Sequence, residues 1–448
     1  MAQAYQKGSL SLLGTVAMGT GVMIGAGIFA LTGQVAEYAG ALFPLAFIVA
    51  AIISGFSAYT YIKVSNKYPS AGGIAMILKK AYGPATITGA AALMMAFSMI
   101  INESLVARTF GTYTLQLFDV GENSLLVPIL AIGLIFSAFL VNLAGNSVIG
   151  SVSKVTAVLK VGGILLFALV ALWAADFAFQ PASGGLTEQA SPGGFLAAVA
   201  LAILAYKGFT TITNSGDEVE NPQRNVGRAI MLSLAICVVV YLLVSYAVGS
   251  SLSVDQIVEA KDYALAEAAR PALGQAGVWF TVAIAIIATA SGLLASIFAV
   301  SRMLAMLTDM QLIPHRHFGM PGSIQKHTLV YTVIAAALLA AFFDLSRIAS
   351  LGAIFYLVMD ILIHWGVLRH LREDVDANPI ILSLAIFFDA VVLIAFLVIK
   401  GGSDPMIIAI SLGGIALIFG FEKLFLSRFR QDGEPTHSAH NTQKETSS

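Results

Sequence analysis

The stretch GTVAMGTGVMIGAGIF, residues 14–29, places five glycines in an otherwise apolar run. Glycine inside a helix costs roughly 1 kcal/mol relative to alanine, yet this run has the apolarity and length of a membrane-crossing helix. Gly25, Ala26 and Gly27 fall near its middle. A break there frees backbone N–H and C=O groups that lipid cannot satisfy, so something polar must meet them. A bound zwitterion does so, with its carboxylate at the positive end of one half-helix and its ammonium on the carbonyls of the other. Close helix packing is the competing reading, because Gly21 and Gly25 also form a GxxxG pair.

The rest of the chain gives that run its setting. Of 448 residues, 58% are hydrophobic and 11% charged, against roughly 25% charged in an ordinary soluble domain. Twelve apolar runs near membrane length recur, at about 11–32, 39–62, 84–117, 124–144, 152–174, 194–214, 228–250, 275–305, 329–343, 346–368, 379–400 and 404–424. They are continuous rather than alternating, which excludes strands as the spanning element. The expected fold is an all-α membrane protein with 12 transmembrane helices.

A balance of 24 basic and 25 acidic residues excludes nucleic acid as a partner. Cys237 is the single cysteine, so there is no disulfide framework. The first apolar run follows one lysine and no cleavage-like site, and is expected to remain as an uncleaved helix. With both termini cytoplasmic, 17 Lys and Arg residues fall inside and only Lys261, Arg270, Arg347 and Lys400 outside, the asymmetry expected of a multi-pass inner-membrane protein. Arg108, Lys160 and Lys207 are left at membrane depth. The polar segment 431–448 is expected to be a disordered cytoplasmic tail, leaving 1–430 as one membrane domain.

The sixth run, LAILAYKGFTTITNSGDEVENPQRNVGRAI at residues 201–230, is the other one rich in glycine and polar residues. It lies five spans after the first, the spacing of equivalent helices in two inverted repeats whose broken helices hold substrate at mid-membrane.

Three ordered motifs make the chain resemble the amino acid-polyamine-organocation permeases. They are GVMIGAGIF at 21–29, AYKGFTTITNSGDEVENPQRNVGRAI at 205–230, and SRMLAMLTDMQLIP at 301–314. The resemblance spans about residues 10–425 and implies the leucine-transporter fold: five-helix repeats over about 11–174 and 194–368, discontinuous helices one and six, and extra helices over 379–424. It implies a substrate carboxylate on the backbone of Gly25, Ala26 and Gly27. It also implies an amino group on carbonyls near Met23, Ile24, Ala205, Tyr206 and Lys207, beside Gly208, with Tyr206 as part of a gate. The alternative for Tyr206 is an interfacial aromatic. Asn102 matches a position that lines the substrate site in relatives. Gly227 stands where the family usually has proline.

Each ionisable residue inside a span is costly and a functional candidate by default. Lys160 lies about 12 Å inside the fifth span. By resemblance its ammonium stands where sodium-coupled relatives hold a cation, which implies sodium-independent, proton-coupled transport or exchange; snorkelling is the alternative. Lys207 departs from the family pattern and would bind an anionic group, carry a proton or pair with an acid. Ser98, Asn102 and Thr109 form one polar stripe, while Glu103 and Arg108 point apart on the same helix. Gly352, Tyr356, Asp360 and His364 share a face of the tenth span, and Asp389 lies in the next. Glu103, Asp360 and Asp389 are candidate relay residues, with a structural network as the alternative. Asp217, Glu218 and Glu220 with Arg224 and Arg228 would close an inner gate by ion pairs, or form a solvated loop.

The function these features imply is secondary active transport of a small amino acid. The alternatives are a polyamine or organic-cation exchanger and, more remotely, a transport-dead nutrient sensor. An enzyme is not expected, since GxxxxGK[ST], HExxH and GxSxG are all absent. No cofactor or metal is called for, and oligomeric state is not legible.

Overall fold

The computed structural model describes residues 8–432 apart from 71–72, 84, 119–124, 145, 178–190 and 311–323. The tail past residue 432, Lys7, Arg316, Lys444 and the end of the 301–314 motif lie outside the described residues. The helices in chain order are α1 (Leu12–Val22), α2 (Ile28–Ala39), α3 (Phe43–Lys67), α4 (Gly73–Tyr82), α5 (Thr86–Leu115) and α6 (Leu126–Ala144). They continue with α7 (Asn146–Ala174), α8 (Pro192–Tyr206), α9 (Phe209–Asn214), α10 (Pro222–Ser251), α11 (Val254–Glu259) and α12 (Ala264–Asp309). Last come α13 (Ile324–Phe342), α14 (Leu345–Gly366), α15 (Pro379–Ser403) and α16 (Pro405–Asp432). The described residues contain no strand, only one isolated parallel bridge between Leu10 and Val219.

Among the described residues, ten helical runs are long and apolar enough to cross a membrane, against the twelve expected, and Leu12–Gly25 and Lys326–Phe342 are shorter apolar helices. This is a multi-pass helical membrane protein. One of the ten, Ile28–Lys67, is 40 residues long, about twice what a bilayer core requires. Gly40, at φ 53° and ψ −139°, divides it; a backbone of that kind suits glycine, which has no Cβ to clash. Gly274, at φ 57°, likewise kinks α12, where the eighth apolar run was expected to begin.

Helix ends follow their chemistry. Ser11 caps α1 by accepting from the Gly14 N–H at 3.2 Å, and Ser191 caps α8 by accepting from the Gly194 N–H at 3.0 Å. Pro222 and Pro379 open α10 and α15, positions where the missing N–H costs nothing.

The expected break in the first span takes a specific form. Between α1 and α2, Met23–Gly27 winds as a π-helical turn, with right-handed helical dihedrals at Val22, Met23, Gly27 and Ile28. The helix is shifted in register rather than unwound, because a π turn absorbs one extra residue while keeping most backbone groups paired. The sixth span is interrupted at Lys207 and Gly208, between α8 and α9.

Burial sorts the helices. In α5 and α8 most of the apolar window is buried, whereas α6, α15 and α16 expose Phe136, Phe387, Ile394 and Leu424. Exposed apolar faces of this extent suit lipid, not water. α8 packs against α2, α3 and α15, and α12 against α5 and α7.

Candidate functional site

Helices one and six meet where both lack side chains. A Cβ on Gly27 would lie 3.0 Å from Ala205 Cα and 2.7 Å from the Tyr241 hydroxyl. One on Gly208 would lie 2.9 Å from the Met23 backbone nitrogen. Gly25 faces α12 instead, with Ala288 O 3.4 Å from its notional Cβ. The glycines permit close packing, and that packing brings two main chains together.

Between these main chains stands one phenol. The Tyr241 hydroxyl lies 2.7 Å from Met23 O and 3.1 Å from Ala205 O. Ala205 belongs to the last turn of α8, whose carbonyls lack partners within the helix. A hydroxyl has one proton, so Tyr241 donates to only one of the two oxygens at a time. That one proton ties the main chains of helices one and six together. Met23, Ile24, Ala205 and Tyr206 are all buried; the Ala26 side chain lies outside the described residues.

Tyr206 donates its hydroxyl to Phe47 O on α3 at 3.3 Å, and its ring lies 4.9 Å from that of Tyr241. It is fully enclosed, neither at an interface nor facing an opening.

Lys160 is 3% exposed and donates to Gly21 O at 2.8 Å and to the Ser291 hydroxyl at 3.1 Å. Its ammonium joins α1, α7 and α12, and it does not snorkel. Lys207 is buried and donates to the carbonyl and hydroxyl of Ser98 on α5, at 3.1 and 3.2 Å. Its Nζ lies 5.8 Å from the centre of the Tyr356 ring. Glu103 is fully buried, accepts from the Ser296 hydroxyl at 3.1 Å and leaves Oε2 without a hydrogen-bond partner. The charges of Lys207 and Glu103 act on each other through space without direct contact. Asn102 is half-buried on the α5 face between Ser98 and Glu103. Arg108 points elsewhere, to Ala340 O on α13 at 2.9 Å.

A second polar group lies between α3, α14 and α15. Asp360 accepts from the hydroxyls of Tyr61 at 2.5 Å and Ser57 at 2.6 Å. His364 Nε2 lies 3.4 Å from a carboxylate oxygen of Asp360 and 3.4 Å from one of Asp389. All three are buried. Asp360 and Asp389 are thus brought together, and Glu103 stands apart from them beside α12.

The ends of the bundle differ. On the side of Lys261, Gln34 donates to Asp262 at 2.6 Å and Lys261 to Glu37 at 2.7 Å. The Glu37 carboxylate outweighs partial burial and holds the Lys261 ammonium above its ordinary range. At the other end the N-terminal segment pairs through main chain with the segment after α9. Leu10 N–H donates to Glu218 O and Glu220 N–H to Leu10 O, both at 2.8 Å. Backbone, rather than only the ion pairs expected of that acidic segment, joins helices one and six here. Arg224 and Arg228 are exposed.

Tyr241, Ser291, Ser296 and Tyr61 were not legible as site residues. Single hydroxyls in apolar helices carry no spacing signal, and each matters through a partner on another helix, from 36 to 299 residues away, only once the bundle is assembled.

Comparison with known proteins adds an independent line. A family model described as amino acid permease matches residues 10–419. The inner membrane transport protein YbaT of Escherichia coli is 29% identical over 392 residues, covering 87% of this chain and 89% of that protein. The branched-chain amino acid permease BcaP of Lactococcus lactis is 28% identical over 249 residues, 51% of this chain and 53% of its own. The serine/threonine exchanger SteT of Bacillus subtilis is 27% identical over 279 residues, 60% and 61%.

Proposed function

The chain belongs to the amino acid permease family, and from that premise we propose that it moves a small amino acid across the inner membrane by alternating access. Transport is sodium-independent, either proton-coupled or by exchange. One observation carries this reading: Met23 O and Ala205 O converge on the single proton of Tyr241. An ammonium, with three donors and no acceptor, is the complement of two carbonyls that share one hydroxyl. In this reading the substrate's amino group takes the carbonyl that Tyr241 leaves unserved. Its carboxylate lies toward the Gly25–Gly27 turn, and Asn102 lines the space beside it.

Sodium independence rests on Lys160. Its ammonium lies between a carbonyl of helix one and a hydroxyl of α12, occupying with a fixed charge the oxygen ligands a sodium ion would need. Two buried lysines close to the site also disfavour a polyamine. The arrangement of two inverted five-helix repeats with both termini cytoplasmic belongs to the same proposal.

The test is uptake of a labelled amino acid panel into proteoliposomes, with and without a pH gradient and with sodium replaced. Uptake of one or a few small amino acids without sodium is expected. Lys160→Ala should abolish accumulation driven by the pH gradient. No uptake of any amino acid, together with polyamine exchange, would overturn the reading.

A further inference from the structure

The buried polar group on α3, α14 and α15 has no part in the reading above, and its charge does not balance. Two carboxylates, Asp360 and Asp389, flank one imidazole, His364, whose Nε2 is 3.4 Å from each. Even with His364 protonated, the three groups carry one negative charge more than positive. The groups that act on them from the packed elements are Ser57 and Tyr61 on α3 and Tyr356 on α14. These are hydroxyls, and no lysine or arginine is among them. An uncompensated charge enclosed at this depth is strongly disfavoured.

The two acids are not equivalent. Asp360 is served by two hydroxyls, at 2.5 and 2.6 Å. Asp389, 1% exposed, is served by no hydroxyl, and its one donor is His364 Nε2 at 3.4 Å, which it shares with Asp360. The group that lacks hydroxyl donors is the one that an added proton would neutralise.

We propose that Asp360, His364 and Asp389 form a proton-binding site, with Asp389 taking up and releasing the proton while Asp360 and His364 hold the remaining ion pair. Binding forms one O–H bond on the Asp389 carboxyl, and the proton comes from and returns to water. Two features connect the site to movement. His364 lies three residues before a second π-helical turn, Val367–Leu371, and such turns shift register readily. Tyr356 stands one helical turn before Asp360 on α14 and carries Lys207 over its ring at 5.8 Å, so the same helix reaches the interruption in the sixth span. As a coupling device it rests on the transporter reading; as a proton-binding site it does not.

Infrared difference spectroscopy of the purified protein across a pH series separates the two. Wild type should show a buried carboxylic acid C=O band, shifted in deuterated water, that disappears as pH rises. Asp389→Asn should lack it, and Asp360→Asn should perturb it. Absence of the band in wild type at every pH would overturn the proposal without any need for a variant to fold. A stoichiometric bound divalent metal in wild type that is lost in Asp389→Asn would also overturn it. In proteoliposomes each unit of pH gradient supports about tenfold accumulation per coupled proton. Asp389→Asn should lose that accumulation and keep amino acid exchange. Accumulation equal to wild type would remove the coupling role even if the band were present.

Discussion

Tyr241 shows how little of a site can be visible in one residue. It sits in the seventh apolar run with no motif around it, yet its hydroxyl is the one donor shared by Met23 and Ala205. Tyr241→Phe removes that donor and keeps the ring against Tyr206 and Phe47. A single such bond contributes about 1 kcal/mol net, so the melting temperature should change little. Substrate affinity should fall on the order of tenfold, because both carbonyls then lack their fixed partner and the site loses its preset geometry. Binding measured by thermal shift against the transported amino acid checks this; unchanged affinity would remove Tyr241 from the site. The glycines, Lys160, Lys207 and the acids were legible because lipid penalises them. Of their partners, Ser98 was legible only as part of a polar stripe, and Ser291 and Ser296 were not legible at all, since serine bonded back to its own helix is common and cheap at membrane depth. Among the expected lining residues whose side chains are described, Asn102 alone keeps partial exposure.

At the scale of elements, hydrophobic run length located apolar helices, ten of membrane length and two shorter among the described residues against the twelve expected, because a bilayer fixes helix length more tightly than water does. What run length does not carry is the manner of an interruption. Glycines announce that a helix is weak, and they say nothing of whether it unwinds, kinks or inserts a residue. The first span does the last, at Met23–Gly27, and the sixth separates at Lys207–Gly208. The loop that closes the Lys261 side was also illegible as a contact. There a Cβ on Gly33 would come within 2.3 Å of the Lys261 carbonyl oxygen, a distance backbone does not tolerate. Gly33→Ala should therefore push the 252–263 segment off α2 and weaken the Gln34–Asp262 and Lys261–Glu37 contacts. Faster labelling of an engineered cysteine in that segment, compared with the same cysteine beside Gly33, is the expected outcome. Equal rates would mean that the segment yields without opening.

Taken whole, the molecule is a buried pair of central helices, α5 and α8, inside a shell that presents apolar side chains outward. α15 and α16, the two helices outside the proposed repeats, are tied to α14 at their shared corner. Arg347 donates to Asp404 at 2.7 Å. The Arg347 guanidinium holds the Asp404 carboxyl below the usual carboxylate range. A lowered carboxyl stabilises the fold above its unfolded value of about 3.9, and that contribution is lost as pH falls through the lower folded value. The melting difference between wild type and Asp404→Asn should be constant at neutral pH, small because the pair is partly exposed and salt-screened, and absent in acid. A difference that grew in acid would contradict the assignment. At the opposite end, the pairing of Leu10 with Glu218 and Glu220 makes a latch from main chain alone. A latch of that kind is blind to the identity of the side chains it joins, so the acidic cluster is free to vary in charge without loosening it. Proline at Leu10 or Glu220 would unfasten it by deleting an N–H. Until it is unfastened, the ends of the first and sixth helices on that side are tied to each other, one lever rather than two.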